Sequence, residues 1–190
     1  LNSHINRSFT KEKIDDSALD NMRLLAKSIG DPQSDFPTIH ITGTNGKGST
    51  SAVVSKLLTS MGLTVGTYCS PHVSSITERI QINTEPISNE EFSELVHHLK
   101  IATSTLDITP RWFELLTAAA FACFANNAVD VAVVEVGMLG RFDATNIADA
   151  KVALITNVGF DHTDGSPGWR ERLAWEKAGI IKKGTILCLG

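Results

Sequence analysis

The sequence predicts an α/β fold: a mainly parallel sheet flanked by helices, with a P-loop-type turn. Three observations predict it. Short apolar runs of strand length alternate with helix-period segments, as in βαβ units. Val129–Val136 is a β-branched apolar run of the kind found in strands buried on both faces. Between the first strand and a helical pattern lies the glycine-rich segment Gly43-Thr44-Asn45-Gly46-Lys47-Gly48-Ser49.

The elements follow in order. Residues 16–29 carry Ala18, Leu19, Met22, Leu25, Ala26 and Ile29 at helical spacing, and Gly30 and Pro32 end the helix. Thr38–Thr42 reads as a strand, and the pattern after the glycine-rich loop as a helix through Met61, stopped by Gly62. Thr64–Tyr68 and Arg79–Ile82 read as strands. Ser88 with Glu91 three residues on predicts a capping box opening a helix to about Leu99. A helix is expected over Trp112–Asn126, with Phe121-Ala122-Cys123-Phe124 in its core face. Val152–Thr156 is a further strand, 170–181 a helix, and Ile186–Leu189 a strand of core character. That strand stands one residue before Gly190, so residues 1–190 are expected to be part of a larger domain.

Composition narrows the class. The 190 residues are 42% hydrophobic and 20% charged, ordinary for a globular chain. A net charge of −4 without a basic cluster argues against nucleic-acid binding. No apolar run approaches the roughly 20 residues of a membrane span, and the polar start LNSHINRSFTKEK does not resemble a signal peptide. Cys69, Cys123 and Cys188 are odd in number and far apart, which suits buried thiols in a reducing compartment, hence the cytoplasm.

A strand, a loop of glycines around a lysine, and then a helix make an anion site. Backbone N–H groups and the positive helix end face phosphates, and Lys47 neutralises their charge. The usual G-x-x-x-x-G-K-[ST] pattern is not met: its first glycine falls at Ile41 and its hydroxyl at Gly48. A metal bound to the phosphates would therefore take its oxygens elsewhere. Ser70, after the second strand, and Glu135, near the carboxyl end of the Val129–Val136 run, occupy the rim where ligands of open α/β sheets gather. A turn hydroxyl before proline explains Ser70 equally well, and a solvated strand-end carboxylate is the alternative for Glu135. His162 follows another strand at the same rim and reads as a metal ligand or a surface histidine. His40, His97 and His98 read as structural. On spacing alone, Lys177 reads as a solvent-facing helix lysine.

Five blocks, in order, resemble the folylpolyglutamate synthase and dihydrofolate synthase family of Mur-type ligases. They are Gly43 to Ser49; Ser70-Pro71-His72 with Glu78-Arg79-Ile80; Phe113-Glu114 with Thr117-Ala118; Glu135-Val136-Gly137 through Arg141-Phe142-Asp143-Ala144-Thr145-Asn146; and Asp161-His162 with Glu176-Lys177-Ala178-Gly179-Ile180. The match runs from about residue 20 to the end. This chain departs from the family at Leu139, where a second glycine is usual, at Arg111, where threonine is frequent, and over Gly165–Trp169. Leucine does not freely adopt positive φ.

The resemblance implies a Mur ligase central-domain fold and an ATP-dependent ligase that joins L-glutamate to a folate or to dihydropteroate through an acyl phosphate. ATP would lie on residues 43–49, and two magnesium ions on Ser70 and Glu135 and on Glu135, His162 and a carbamylated Lys177. Lys47, Lys177 and His162 would be catalytic, and Phe113, Asp143 and Ala144 would meet the pterin-bearing substrate. The resemblance also implies a monomer and a separate C-terminal glutamate-binding domain absent from residues 1–190. A Mur-type cell-wall peptide ligase, a P-loop kinase and a non-catalytic nucleotide-binding domain are the competing readings. The late Glu-Lys-Ala-Gly block has no use in an ordinary P-loop kinase, and Asp143-Ala144-Thr145-Asn146 favours the folate branch over the cell-wall branch.

Overall fold

The computed structural model describes residues 19–161, 163 and 165–190. Its sheet has the order β4-β3-β2-β5-β1-β6-β7. The strands are β1 (Thr38–Thr42), β2 (Val65–Tyr68), β3 (Ile80–Ile82), β4 (Glu85–Pro86), β5 (Val131–Glu135), β6 (Ala150–Ile155) and β7 (Ile186–Leu189). From β2 to β7 across the sheet the pairings are parallel, and β3 and β4 add an antiparallel edge. The carboxyl ends of β1, β2, β5 and β6 therefore open on one rim.

The period of two divides β5 between two cores. Val131 and Val133 join Ile41 and Val65 beneath Val54 and Leu58 of α2 (Lys47–Ser60). Ala132 and Val134 face the larger core with Tyr68, Ile80, Leu116, Phe121 and Phe124. That side is covered by α1 (Asp20–Ser28), α3 (Asn89–Thr103) and α4 (Trp112–Asn126). The alternation predicts that Glu135 falls on the α2 side, with Val131 and Val133.

Several boundaries differ from the sequence reading. Residues 16–18 lie outside the described residues, and α1 begins at Asp20. β5 starts at Val131 because Val129 N donates to Phe124 O and closes α4. β6 starts two residues early, at Ala150. The last helix, α5 (Trp169–Ala178), closes where Gly179 N donates to Glu176 O. Helix α3 runs past Leu99 to Thr103. Ser88 Oγ caps it at Glu91 N, 3.0 Å, but the Glu91 carboxylate accepts from Asn127 Nδ2 at 3.1 Å, leaving the box half built. β7, expected to have core character, is exposed in residues 1–190. It is the edge of the sheet, and all four of its residues are exposed, as are Val53 and Leu57 on α2 and Met61 at its C-cap. Cys123 is buried as expected, Cys69 is half-buried and Cys188 is exposed; all three are free. Among the described residues no helix is long and apolar enough to cross a membrane.

Gly66 shows how closely α4 is seated on the sheet. A Cβ there would lie 2.5 Å from Phe124 Cδ1. Gly66→Ala should destabilise the fold by about 1–3 kcal/mol through overpacking. Thermal denaturation of the variant beside wild type measures it, and an unchanged Tm would mean that α4 shifts freely.

Candidate nucleotide and substrate site

The glycine-rich loop turns from β1 into α2 with Gly46 in the left-handed region at φ 81°. The first-turn N–H groups of a 14-residue helix thus open toward the rim. Lys47 Nζ folds back on its own loop, donating to Gly43 O at 3.1 Å and Thr44 O at 3.4 Å. From the other side the loop is held by the segment after β6. Asn157 O accepts from Thr44 N, Asn157 Oδ1 accepts from Asn45 N, and Asn157 Nδ2 and Thr156 Oγ1 donate to Asn45 O. The sequence reading missed Thr156 and Asn157. The rule that drew attention to Ser70, position just beyond a strand's carboxyl end, applies to both.

Glu135 is 3% exposed, and its Oε2 accepts from Ser70 N at 3.0 Å. Burial pushes its pKa up, opposed by the Ser70 N–H and then by the charges of Lys47 and Arg79. A Cβ added at Gly48 would stand 3.7 Å from Glu135 Oε2. The position that usually carries a hydroxyl is therefore open space in front of a buried carboxylate. That arrangement fits a hard cation: an anionic oxygen, a neighbouring serine and no competing side chain. Among the described residues no group of three or more His, Cys, Asp or Glu gathers to hold a metal, at this rim or elsewhere. His162 lies outside the described residues.

Lys177 is buried, 3% exposed, and not the solvent-facing lysine its spacing suggests. Burial lowers its pKa to about 8, helped by the charge of Lys47 and opposed by Asp161. The fourth block positions α5. Arg141 N donates to Glu176 O at 2.9 Å, Arg141 Nη2 to Trp175 O at 2.9 Å, and the guanidinium lies 3.6 Å from the Trp175 ring centroid. Asn146 Nδ2 reaches Gly179 O at 3.1 Å.

Phe113 sits at the start of α4 with its ring 5.9 Å from that of Tyr68 and against Gly137. Asp143 and Ala144 are both buried nearby, at the end of the loop from Gly137. The Asp143 carboxylate is engaged by its own loop: Oδ2 accepts from Met138 N, and Oδ1 from Thr145 N and Oγ1. Leu139 takes φ 60°, the left-handed conformation that costs an L-residue about 1–2 kcal/mol. Its carbonyl is held there by Thr42 Oγ1 at 2.6 Å. The departure from glycine is thus accommodated with strain, and the loop keeps the glycine-like backbone.

His40 supports this loop from below. Thr145 Oγ1 gives its proton to Asp143, so it must accept from His40 Nε2, 2.8 Å away. His40 Nδ1 is then bare and buried, with no hydrogen-bond partner among the described residues. Burial, with a contribution from Lys182, lowers the His40 pKa from 6.5 to about 3. Between those values the unfolded chain takes up a proton that the folded chain refuses, so this group's share of stability is full above pH 6.5 and falls as pH drops. A His40→Gln variant should lose up to about 1.4 kcal/mol per pH unit of that acid dependence. Denaturant unfolding at a series of pH values checks it, and parallel acid limbs in wild type and variant would contradict it.

The sequence and the fold agree with known proteins. Residues 41–186 match the Mur ligase middle domain. The chain belongs to that family, on its folylpolyglutamate synthase and dihydrofolate synthase branch. It is 42% identical over 171 residues to the dihydrofolate synthase/folylpolyglutamate synthase of Bacillus subtilis (strain 168), covering 87% of this chain and 40% of that protein. A crystal structure of Mycobacterium tuberculosis folylpolyglutamate synthase with ADP and AMPPCP superposes with a TM-score of 0.87 at 41% identity, covering 90% of this chain and 41% of that one. A bifunctional folylpolyglutamate synthase/dihydrofolate synthase with Mn, AMPPNP and L-glutamate bound gives a TM-score of 0.85 at 35% identity, covering 90% and 42%. The chain spans about two fifths of the length of these relatives.

Proposed function

We propose that this chain supplies the nucleotide-binding part of an ATP-dependent ligase that adds L-glutamate to a folate or to dihydropteroate. The observation that carries the reading is the meeting, at one rim, of the Gly43–Ser49 loop with the paired Ser70 and Glu135, whose carboxylate faces Gly48, beside a buried Lys177. ATP is the phosphoryl donor, and the bound relatives hold its analogues. Phosphoryl transfer to a carboxylate asks for positioning and charge neutralisation. The loop N–H groups orient the phosphates, and Lys47 exchanges its loop carbonyls for phosphate oxygens. The carboxylate oxygen attacks the γ-phosphorus, the bond to the bridging oxygen breaks, and ADP leaves. The amine of glutamate then attacks the acyl phosphate and expels phosphate.

Magnesium, when bound, neutralises phosphate charge and polarises the transferring group. Ser70, Glu135, His162 and a carbamylated Lys177 would hold two ions, and the Glu135 carboxylate is already oriented by the Ser70 N–H. Phe113, Asp143 and Ala144 frame the pterin pocket, Asp143 mainly by fixing the loop backbone that lines it.

The test is phosphate release by the full-length protein with ATP, magnesium, L-glutamate and either dihydropteroate or tetrahydrofolate. Release should require both glutamate and a pterin substrate and should match amide formed. Phosphate release independent of both would assign the site to another NTPase.

A further inference from the structure

Arg79 is a buried cation without a counter-ion among the described residues. It is 8% exposed and ends a 3-10 turn, Ile76–Arg79, that leads into β3. Its Nε donates to His72 Nδ1 at 2.8 Å, and its guanidinium carbon lies 4.8 Å from the Trp112 ring centroid. Among the described residues its terminal nitrogens have no hydrogen-bond partner and no carboxylate at ion-pair distance. Neither terminal nitrogen is among the fully buried polar atoms that lack a partner, so both remain open to the site, where an anion can complete the guanidinium.

Nearby groups do not supply that anion. The acids that bear on Arg79 are Tyr68, Cys69 and Glu135, and its own burial outweighs them and lowers its pKa. Cys69 Sγ donates to Glu78 O at 3.3 Å, a bond that only the neutral thiol makes, and the Tyr68 hydroxyl accepts from Thr117 Oγ1 at 3.2 Å. Glu135 is already committed to the Ser70 N–H.

Its surroundings define what it faces. Cys69 N donates to Arg79 O at 3.0 Å, tying its backbone to the residue before Ser70. Trp112, beneath the guanidinium, precedes Phe113. Arg79 thus stands between the phosphate and metal rim on one side and the aromatic wall of the substrate pocket on the other. A guanidinium stacked on an indole keeps its in-plane donors for a planar, two-oxygen acceptor.

We propose that Arg79 binds the carboxylate of the pteroate-type substrate, the group that is to be phosphorylated, through its two free terminal nitrogens. This rests on the ligase reading above. It makes Arg79 a substrate-binding residue that holds the nucleophilic carboxylate beside the rim where the γ-phosphate lies.

The experiment compares two ligands on the full-length protein in the presence of magnesium and a non-hydrolysable ATP analogue. One is pteroate, and the other is the same molecule with its carboxylate replaced by hydrogen; affinities are read by calorimetry. Wild type should prefer pteroate by roughly 10- to 100-fold, as expected of charge-assisted hydrogen bonds. Arg79→Gln should reduce that preference to about threefold or less, and Arg79→Lys, which keeps the charge but loses the fork, should fall between. Unchanged affinity for the ATP analogue shows that each variant is folded, and Arg79→Lys carries the test if Arg79→Gln is not. Wild-type preference retained in the folded variants overturns the proposal, as does a loss confined to nucleotide affinity. Wild-type protein that binds neither pterin ligand overturns the ligase reading, and the proposal with it.

Discussion

Lys47→Ala in the full-length enzyme should lower kcat by ~10³-fold or more, the scale on which preorganised charge contacts to a transition state are felt. Lys47 is the first residue of α2, and its ammonium already lies over the loop on the carbonyls of Gly43 and Thr44. Phosphate oxygens arriving at the helix end meet a charge that needs only to change partners. Alanine leaves the loop N–H groups and the helix end in place, so the nucleotide still docks, and the loss falls on the transferring phosphoryl group. Glu135 should register the change too, because the Lys47 charge helps hold its pKa down against burial. Steady-state kinetics on purified variant and wild type measure the effect. A kcat within about threefold of wild type would place Lys47 away from the phosphates.

What the sequence made legible follows from how far each signal reaches along the chain. Strand and helix order was readable because burial on both faces forces β-branched residues into β5, and the loop was readable because its glycines and lysine are contiguous. Ile186-Leu187-Cys188-Leu189 has a core composition, yet in residues 1–190 it stands exposed at the sheet edge, because burial depends on what packs there and composition does not report that. The left-handed backbone was expected to be difficult at Leu139, and it is adopted because Thr42, 97 residues away, holds its carbonyl. Arg79 reads in sequence as an ordinary charged residue beside Glu78. Its burial arises from Trp112 and His72, which local pattern does not join to it. Thr156 and Asn157 went unnoticed for the same reason: their partners, Thr44 and Asn45, lie on another strand's loop. Lys177 is the sharpest case. The charged segment Trp169–Ala178 looks like a solvated helix, yet contacts from Arg141 and Asn146 press its end into the site.

That burial makes the second large effect specific. Lys177→Ala in the full-length enzyme should lose most activity, and acetate should restore part of it. A buried ammonium near Lys47 is a poor neighbour for a metal, since all are cations, and burial and the Lys47 charge lower the Lys177 pKa to about 8. Near neutral pH a useful fraction is therefore free amine. The amine nitrogen can add to the carbon of carbon dioxide and release a proton, converting a cation into an anionic oxygen donor. The carbamate would do three things that the amine cannot. It would remove the repulsion from Lys47, supply a hard oxygen donor, and turn the buried charge into one that a cation satisfies. Wild-type enzyme freed of carbon dioxide should weaken and recover with bicarbonate, and labelled carbon dioxide should give a carbamate signal by carbon NMR that Lys177→Ala lacks. Acetate is the discriminating reagent. It replaces the missing carboxylate oxygens but cannot replace an ammonium, so rescue would identify the working form of Lys177 as an anion. A fully active Lys177→Ala variant, or a metal-loaded crystal structure with an unmodified Lys177 turned to solvent, would remove the carbamate from the mechanism.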